Sequence, residues 1–199
     1  MKTTKLLALL LAATFLLSNC GGKNENEEKE EPKTAADAIE NIANQAEKMA
    51  NDGPKEVIDA KLLKELLPAD ADGLPRKEVS SEKTGAMGFQ VATANARYGE
   101  GDSSIEVSIV DVAGTGAIMG MAAWAMVDVD KENDSGYEKT TTYKDHKAFE
   151  KYNNDNKDGE LAVLLANRFV VSVKGSNVSM AKIKATIDDI DLDKLDDMK

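Results

Sequence analysis

The sequence predicts an α+β fold in which helices cover an antiparallel sheet of about six or seven strands. Runs of residues in the second half of the chain alternate apolar and polar side chains, which is typical of half-buried strands. Short segments rich in Gly, Asn and Asp separate these runs, and strands joined by short turns pair antiparallel. Apolar residues at three- and four-residue spacing flank the strand runs and predict the covering helices.

Four segments are expected along the 199 residues, a length that suits one domain. Residues 1–19 predict a lipoprotein signal peptide, and residues 20–33 predict a lipidated cysteine with a disordered acidic tether. Residues 34–74 predict a helical segment, and residues 75–199 predict the α+β domain.

A positively charged start and an apolar run indicate an export signal at the amino terminus. Lys2 and Lys5 precede residues 6–17, an uninterrupted stretch dominated by Leu and Ala. As a helix this stretch rises about 18 Å, well short of the roughly 30 Å hydrocarbon layer of a bilayer. It therefore predicts a secretory signal rather than a permanent span.

The end of this signal resembles the lipobox of bacterial lipoproteins, with the residues Leu17-Ser18-Asn19-Cys20. The resemblance implies cleavage before Cys20, a diacylglycerol on its sulfur and a further acyl chain on the new amino group. Asn19 stands where the family more often has Gly or Ala, and an ordinary signal with an incidental cysteine is the alternative. Gly21 stands where Asp favours inner-membrane retention. This implies the outer membrane of the cell envelope, with the domain facing the periplasm or the cell surface.

The residues after the cysteine predict a solvated tether. Residues 21–33 contain no strongly hydrophobic side chain, and residues 21–31 resemble the acidic export signals of Bacteroidota surface lipoproteins. The formal net charge of the whole chain is -11, which repels phosphates and predicts that nucleic acid is not a partner. Anionic lipid is repelled too, so the acyl chains on Cys20 are the expected contact with the lipid bilayer.

Two helices are predicted in the helical segment. Apolar residues recur at helical spacing over residues 39–49, and Gly53-Pro54 ends this first helix. Asp59 is a candidate N-cap of a short second helix that ends at Pro68. This helix carries four leucines, Leu62, Leu63, Leu66 and Leu67. A turn-rich stretch then leads to the strands.

Seven strands, interrupted by one helix, are predicted next. The strands are residues 76–82, 89–98, 105–110, 137–143, 147–152, 160–165 and 168–174, with a hairpin turn at residues 99–102. Residues 114–127 are small and apolar and predict a nearly buried helix after the third strand. Asn177 or Ser179 can cap a last helix, and an acidic tail containing Ile190, Leu192 and Leu195 follows. The element order resembles that of PsbP-like and Mog1-like domains over roughly residues 75–190.

A second resemblance rests on short motifs. The Leu-Leu-Pro that ends at Pro68, the strand end at Asp111 and the strand start at residues 168–171 are similar to those of exported bacterial proteins of unknown function. This resemblance implies no activity.

The chain offers few groups for nucleophilic or metal chemistry. His146 is the single histidine, and it lies in a predicted polar turn. The single cysteine, Cys20, is expected to carry lipid. No catalytic residue is therefore predicted. Residues 154–165 begin like a calcium-binding EF-hand loop, but Leu165 stands where a bidentate Glu is required. The acidic residues 128–134 have Asn133 where that loop needs Gly, and they predict a solvated connection. No metal or cofactor is expected.

Residues at the predicted central helix are the candidate ligand site. Gly114, Gly116 and Ala117 would present free amides at its start, which suit an anion. Trp124, together with Met119, Met121 and Met126, could line an apolar cleft, although core packing is the alternative.

The anchor, the tether and the missing catalytic groups favour a non-enzymatic envelope lipoprotein that binds an unknown protein or small-molecule ligand. A carboxylate-dependent envelope hydrolase is the alternative, because two acidic residues suffice for glycoside hydrolysis. A purely structural envelope protein is a third class.

Overall fold

A computed structural model describes residues 56–86, 89–113 and 122–198. Every described residue belongs to one compact unit. The predicted signal peptide, Cys20, the tether and the first helix of the helical segment lie outside the described residues. No helix in the described ranges combines the length and the apolar character needed to cross a bilayer.

The described chain contains three α-helices, one 3-10 helix and nine strands. The first part consists of α1 (Ala60–Glu65), β1 (Asp70–Ala71), β2 (Leu74–Ala86), β3 (Phe89–Glu100) and β4 (Ser103–Asp111). The second part consists of the 3-10 helix (Ala123–Met126), β5 (Asp130–Asn133), β6 (Gly136–Tyr143), β7 (His146–Asn153), β8 (Asp158–Leu165), β9 (Phe169–Ser176), α2 (Met180–Asp188) and α3 (Leu192–Asp197).

All nine strands form one antiparallel sheet in the order β1-β2-β3-β4-β9-β8-β7-β6-β5. Two meanders, β1 to β4 and β5 to β9, meet where β4 pairs with β9 at the centre of the sheet. The predicted sheet-rich fold is therefore confirmed, but the count of six or seven strands is wrong. The two additional strands are β1, which is only two residues long, and β5.

Strand β5 was not predicted because nothing in its side chains indicates a strand. Residues 128–134 were expected to be a solvated connection, and all four residues of Asp130–Asn133 are indeed exposed. They nevertheless pair with β6 at the edge of the sheet. An edge strand that buries no side chain needs no apolar alternation.

The predicted helix over residues 114–127 is wrong in its described part. Residues 114–121 lie outside the described residues, and the remainder forms a single 3-10 turn, Ala123–Met126. The hydroxyl of Thr140 donates to the carbonyl oxygen of Val127 at 2.9 Å and accepts from the amide of Val129 at 3.1 Å. These two bonds hold the chain extended and lead it into β5.

Two of the predicted capping residues lie at helix starts in the structure. The side chain of Asp59 accepts a hydrogen bond from the amide of Lys61, which confirms the predicted N-cap of α1. Ser179 is the N-cap of α2, with its hydroxyl accepting from the amide of Lys182. Asn177, the other candidate, adopts a positive φ of 52° in the turn before the helix.

The three helices cover one face of the sheet, and the main core lies between the helices and that face. Its largest fully buried side chains are Tyr98, Phe169, Leu63, Ile105, Ile109, Leu161, Leu165, Ile183, Ile187, Ile190 and Leu195. The predicted acidic tail is in fact helix α3, which Asp191 caps and which buries Leu192 and Leu195. This helix was not predicted because its residues are mostly acidic, although its two leucines pack into the core.

The opposite face of the sheet, which we call the open face, carries a row of charged residues with alternating sign. In sheet order, one residue from each of β2, β3, β4, β9, β8, β7, β6 and β5 contributes, namely Glu78, Arg97, Glu106, Lys174, Glu160, Lys151, Glu138 and Lys131. Each residue is the register partner of the next. We call this row the charge ladder.

Four neighbouring pairs of the charge ladder are within ion-pair distance. The nitrogen-to-oxygen distances are 2.9 Å for Arg97–Glu78, 3.1 Å for Lys151–Glu160, 3.7 Å for Lys174–Glu160 and 3.8 Å for Lys131–Glu138. A slip of one residue in any strand would move its ladder residue to the other face. The ladder therefore favours the observed register.

Reversing one charge of the ladder should destabilise the fold in a salt-dependent way. Lys174→Glu places an acid between Glu106 and Glu160, and cross-strand charge pairs contribute roughly 0.2–1 kcal/mol each. We expect the free energy of unfolding to fall by about 1–2 kcal/mol at low salt, and by less in 1 M salt, where the Debye length is about 3 Å. Urea unfolding at both salt concentrations measures this free energy. Lys77→Glu, with the same charge change at an exposed position of β2, is the control; an equal loss there would contradict a role for the ladder.

Candidate functional site

A cavity of about 370 Å³ lies on the open face, and we call it the trough. Strands β3, β4, β9, β8 and β7 supply its floor, and the 3-10 helix supplies part of its wall. Alternation along each strand sends one set of side chains into the helix-covered core and the other set into this cavity. The trough is thus a product of the same pattern that builds the core.

An aromatic pair forms one wall of the trough. The rings of Trp124 and Phe149 have their centroids 6.1 Å apart and are tilted by 34°. Trp124 packs against a small apolar cluster of Val110, Val112, Ala122, Ala125 and Val170. The ammonium group of Lys147 also donates to the carbonyl oxygen of Ala125 at 3.1 Å, which ties the 3-10 helix to β7. The aromatic wall is therefore held in place from two sides.

Three neutral polar side chains form the floor. Asn95 and Ser108 are register partners across β3 and β4, and Ser108 and Ser172 are register partners across β4 and β9. All three are half-buried. None of these side chains makes a hydrogen bond to another residue within the described ranges. No described residue therefore occupies their donors and acceptors.

Part of the charge ladder forms the far side of the trough. Glu106, Lys174 and Glu160 line it, and the carboxylate of Glu160 also lies 3.1 Å from the ammonium of Lys151. Glu106 is the register partner of Arg97 and Lys174 but forms no ion pair within 4 Å with either of them. A second, more open cavity of about 470 Å³ shares Glu160 and Lys174 with the trough. The two cavities meet at the ladder.

The structure places one residue of the predicted ligand site in the trough. Trp124 lines the cavity. Gly114, Gly116 and Ala117, the predicted anion site, lie outside the described residues, as do Met119 and Met121. Met126 is half-buried and does not line the trough.

The sequence did not identify the floor residues Asn95, Ser108 and Ser172, which lie on predicted strands. Alternation shows that these side chains share a face with polar neighbours, and this was the available signal. His146 begins β7 rather than lying in a turn, and it does not line the trough.

A buried ion pair lies at the end of β4, and neither of its residues lines the trough. The guanidinium of Arg168 donates to both carboxylate oxygens of Asp111 at 2.8 Å, and Asp111 is fully buried. The amides of Ile58 and Ala113 also donate to this carboxylate, each at 2.7 Å. Every one of these bonds is internal, so the pair serves the fold, joining the start of the described chain to two central strands.

A second buried carboxylate links helix α2 to the sheet. Glu150 is 3% exposed, accepts a hydrogen bond from the hydroxyl of Tyr137 and lies 2.9 Å from the ammonium of Lys184. Burial alone would raise the pKa of Glu150, but the hydrogen bonds from Tyr137 and Lys184 and the charges of Lys184 and Lys139 lower it overall. Burial and the neighbouring Glu150 raise the pKa of Tyr137. Tyr137 therefore remains the donor at neutral pH.

Glu150 should make stability depend on pH in the acid range. Its pKa is lowered in the fold from an ordinary value of 4.5, so its ionised form stabilises the fold above about pH 4.5. This contribution is lost as the pH falls through the lowered folded pKa. We expect urea midpoints of the wild type and Glu150→Gln to differ clearly at pH 7 and to converge towards pH 3. A difference that stays constant across this range would contradict the assignment.

Candidate metal ligands do not cluster in the described part of the chain, where no group of three His, Cys, Asp or Glu residues could hold an ion. Residues 154–157 of the EF-hand-like stretch form the turn between β7 and β8. The side chain of Asn153 accepts from the amides of Asp155 and Asn156 and closes this turn.

No protein-family profile, no curated protein and no solved structure matches this chain.

Proposed function

We propose that this protein is a lipid-anchored envelope protein whose domain binds a ligand in the trough without transforming it. The observation that carries the proposal is the pairing of an aromatic wall with three polar side chains that have no partner among the described residues. Small-molecule sites combine apolar and aromatic walls with a few convergent polar groups, within roughly 300–1,000 Å³. The trough meets this description, while the other face of the sheet is filled by the core.

The floor hydroxyls support binding rather than nucleophilic catalysis. A serine nucleophile needs a base within hydrogen-bond reach. Ser108 and Ser172 make no hydrogen bond to any side chain in the described ranges, and His146 lies outside the trough. Both hydroxyls are therefore suited to bind a ligand's polar groups.

A carboxylate-dependent hydrolase is the second candidate, because Glu106 and Glu160 both line the trough. They come from β4 and β8 with β9 between them, which sets their strands roughly 10 Å apart at about 4.8 Å per strand. Inverting glycosidases hold their carboxylates roughly 6.5–9.5 Å apart. Release of sugar from an oligosaccharide, abolished by Glu106→Gln, would favour this candidate over pure binding.

The binding proposal can be tested with the single tryptophan as the reporter. The full chain in detergent micelles is titrated with the small-molecule fraction of a bacterial envelope extract. We expect a saturable change in Trp124 fluorescence that is lost when the protein is unfolded in urea. An extract that leaves the emission unchanged over the whole titration would contradict a ligand in the trough.

The anchor is proposed from the lipobox-like residues that end at Cys20. We expect radiolabelled palmitate to be incorporated into the wild-type chain and to be absent from Cys20→Ser, with the wild type in the membrane fraction and the variant released. Two or three acyl chains hold a protein durably on a bilayer. Without any acyl chain, this acidic domain is expected to stay in solution. Wild-type protein that carries a free thiol and an intact leader by mass would contradict the anchor.

A further inference from the structure

We propose that the ligand of the trough is a neutral saccharide of two or more sugar units, an inference that rests on the proposed binding function. It follows from the charges, the free polar groups and the aromatic wall of the trough. Each of these features disfavours or favours one class of ligand.

Charge disfavours an ionic ligand. Two acids and one base line the trough, namely Glu106, Glu160 and Lys174, so an anion meets a cavity of net negative charge. The whole chain, with a formal net charge of -11, repels anions. A cation could approach Glu106, but Arg97 and Lys174 are its register partners on either side and would oppose it. A neutral ligand meets none of these costs.

The free polar groups disfavour a wholly apolar ligand. Asn95, Ser108 and Ser172 line the cavity and make no hydrogen bond within the described ranges. An apolar molecule would remove water from these groups and leave them unsatisfied, which weakens its binding. A ligand that carries several hydroxyls can both donate to and accept from them.

The aromatic wall favours a ligand that also has an apolar face. Trp124 and Phe149 are both partly exposed and lie side by side at one wall of the trough. A pyranose ring presents axial C–H groups on one face and hydroxyls at its rim. Its C–H face can cover an aromatic ring while the rim reaches the polar floor. A neutral saccharide is the ligand class that uses both features together.

The second cavity favours a chain of sugar units over a single one. It shares Glu160 and Lys174 with the trough, so a ligand longer than one unit can continue across the charge ladder. A carboxylate and an ammonium group held in the ladder supply charge-assisted hydrogen bonds to hydroxyls. We therefore expect an oligosaccharide to bind more tightly than its monosaccharide.

The test is a calorimetric titration of the full chain in micelles, with Trp124 fluorescence to locate the binding. The neutral probes are N-acetylglucosamine, its β-linked tetramer, glucose and the β-linked glucose tetramer. The other probes are glucosamine, glucuronate and 1-octanol. We expect at least one neutral tetramer to bind about tenfold more tightly than its monosaccharide and than both charged sugars, and to change the tryptophan emission.

Matched variants connect binding to the floor. Ser172→Ala removes one hydroxyl and should weaken binding of the neutral tetramer about fivefold, since a hydrogen bond contributes about 1 kcal/mol. Ser80→Ala, an exposed serine of β2 that does not line the trough, should bind like the wild type. Urea midpoints of both variants establish that they fold. Equal affinities of the two variants would overturn the assignment of the floor.

The outcomes separate this inference from the function on which it rests. Tighter binding of a charged sugar or of 1-octanol would overturn the saccharide inference. The saccharide inference would also be overturned if no saccharide binds at millimolar concentration while the envelope extract still changes the tryptophan emission. The proposed binding function would stand in that case. If neither has an effect, both are wrong. Binding followed by release of shorter sugars would support the saccharide and overturn the non-enzymatic function.

Discussion

We expect Asp111→Ala to lower the free energy of unfolding by about 3–5 kcal/mol, because it leaves a buried guanidinium without its counter-charge. The side chain of Arg168 is 10% exposed, and both its donating nitrogens on Asp111 lie at 2.8 Å. The change also removes the acceptor of the buried or half-buried amides of Ile58 and Ala113. Urea unfolding followed by circular dichroism measures the loss.

An exposed pair of the same chemistry serves as the control. Arg97 and Glu78 lie 2.9 Å apart, but their side chains are 59% and 70% exposed. Glu78→Ala should therefore cost about 1 kcal/mol or less. If Asp111→Ala does not fold, Arg168→Lys keeps the charge but loses the two-pronged contact, and it should still cost more than Glu78→Ala. Equal losses of unfolding free energy at the buried and exposed pairs would show that burial does not determine how much the Asp111 pair stabilises the fold.

The second large effect is expected at the carboxyl-terminal helix. Leu195→Ala should lower the free energy of unfolding by about 2–5 kcal/mol, because it removes a fully buried side chain from the main core. Leu62→Ala is the matched control, since Leu62 is 45% exposed on α1, and it should cost about 0.5 kcal/mol or less. A Leu195→Ala variant as stable as Leu62→Ala would mean that α3 does not belong to the core.

Local sequence patterns predicted the strands whose own side chains alternate between the core and the solvent. Ile105, Val107 and Ile109 alternate along β4 and all three are buried, so that strand was found. Strand β5 was missed because its four residues are exposed, so no apolar alternation indicates a strand there. Helix α3 was missed because three aspartates surround its two buried leucines.

The site was only partly predictable because it depends on which strands become neighbours. Trp124 could be singled out as the one large aromatic residue in a small-residue segment. Ser108 and Ser172 come together only because β4 pairs with β9, which joins the two meanders at the centre of the sheet. Periodicity indicates the face of a side chain but not its neighbour across the strands. The charge ladder was hidden for the same reason, since seven register pairings bring its residues into one row.

The proposed function requires that the open face binds a ligand while the helix-covered face is filled by the core. This division between the two faces can be measured by nuclear magnetic resonance of the nitrogen-15-labelled full chain, with and without the envelope extract. We predict shifts of the single indole N–H signal of Trp124 and of the amides around Ser108 and Ser172, with α2 and α3 unchanged. Shifts confined to α2 and α3, or an indole signal that does not move, would contradict the proposed function.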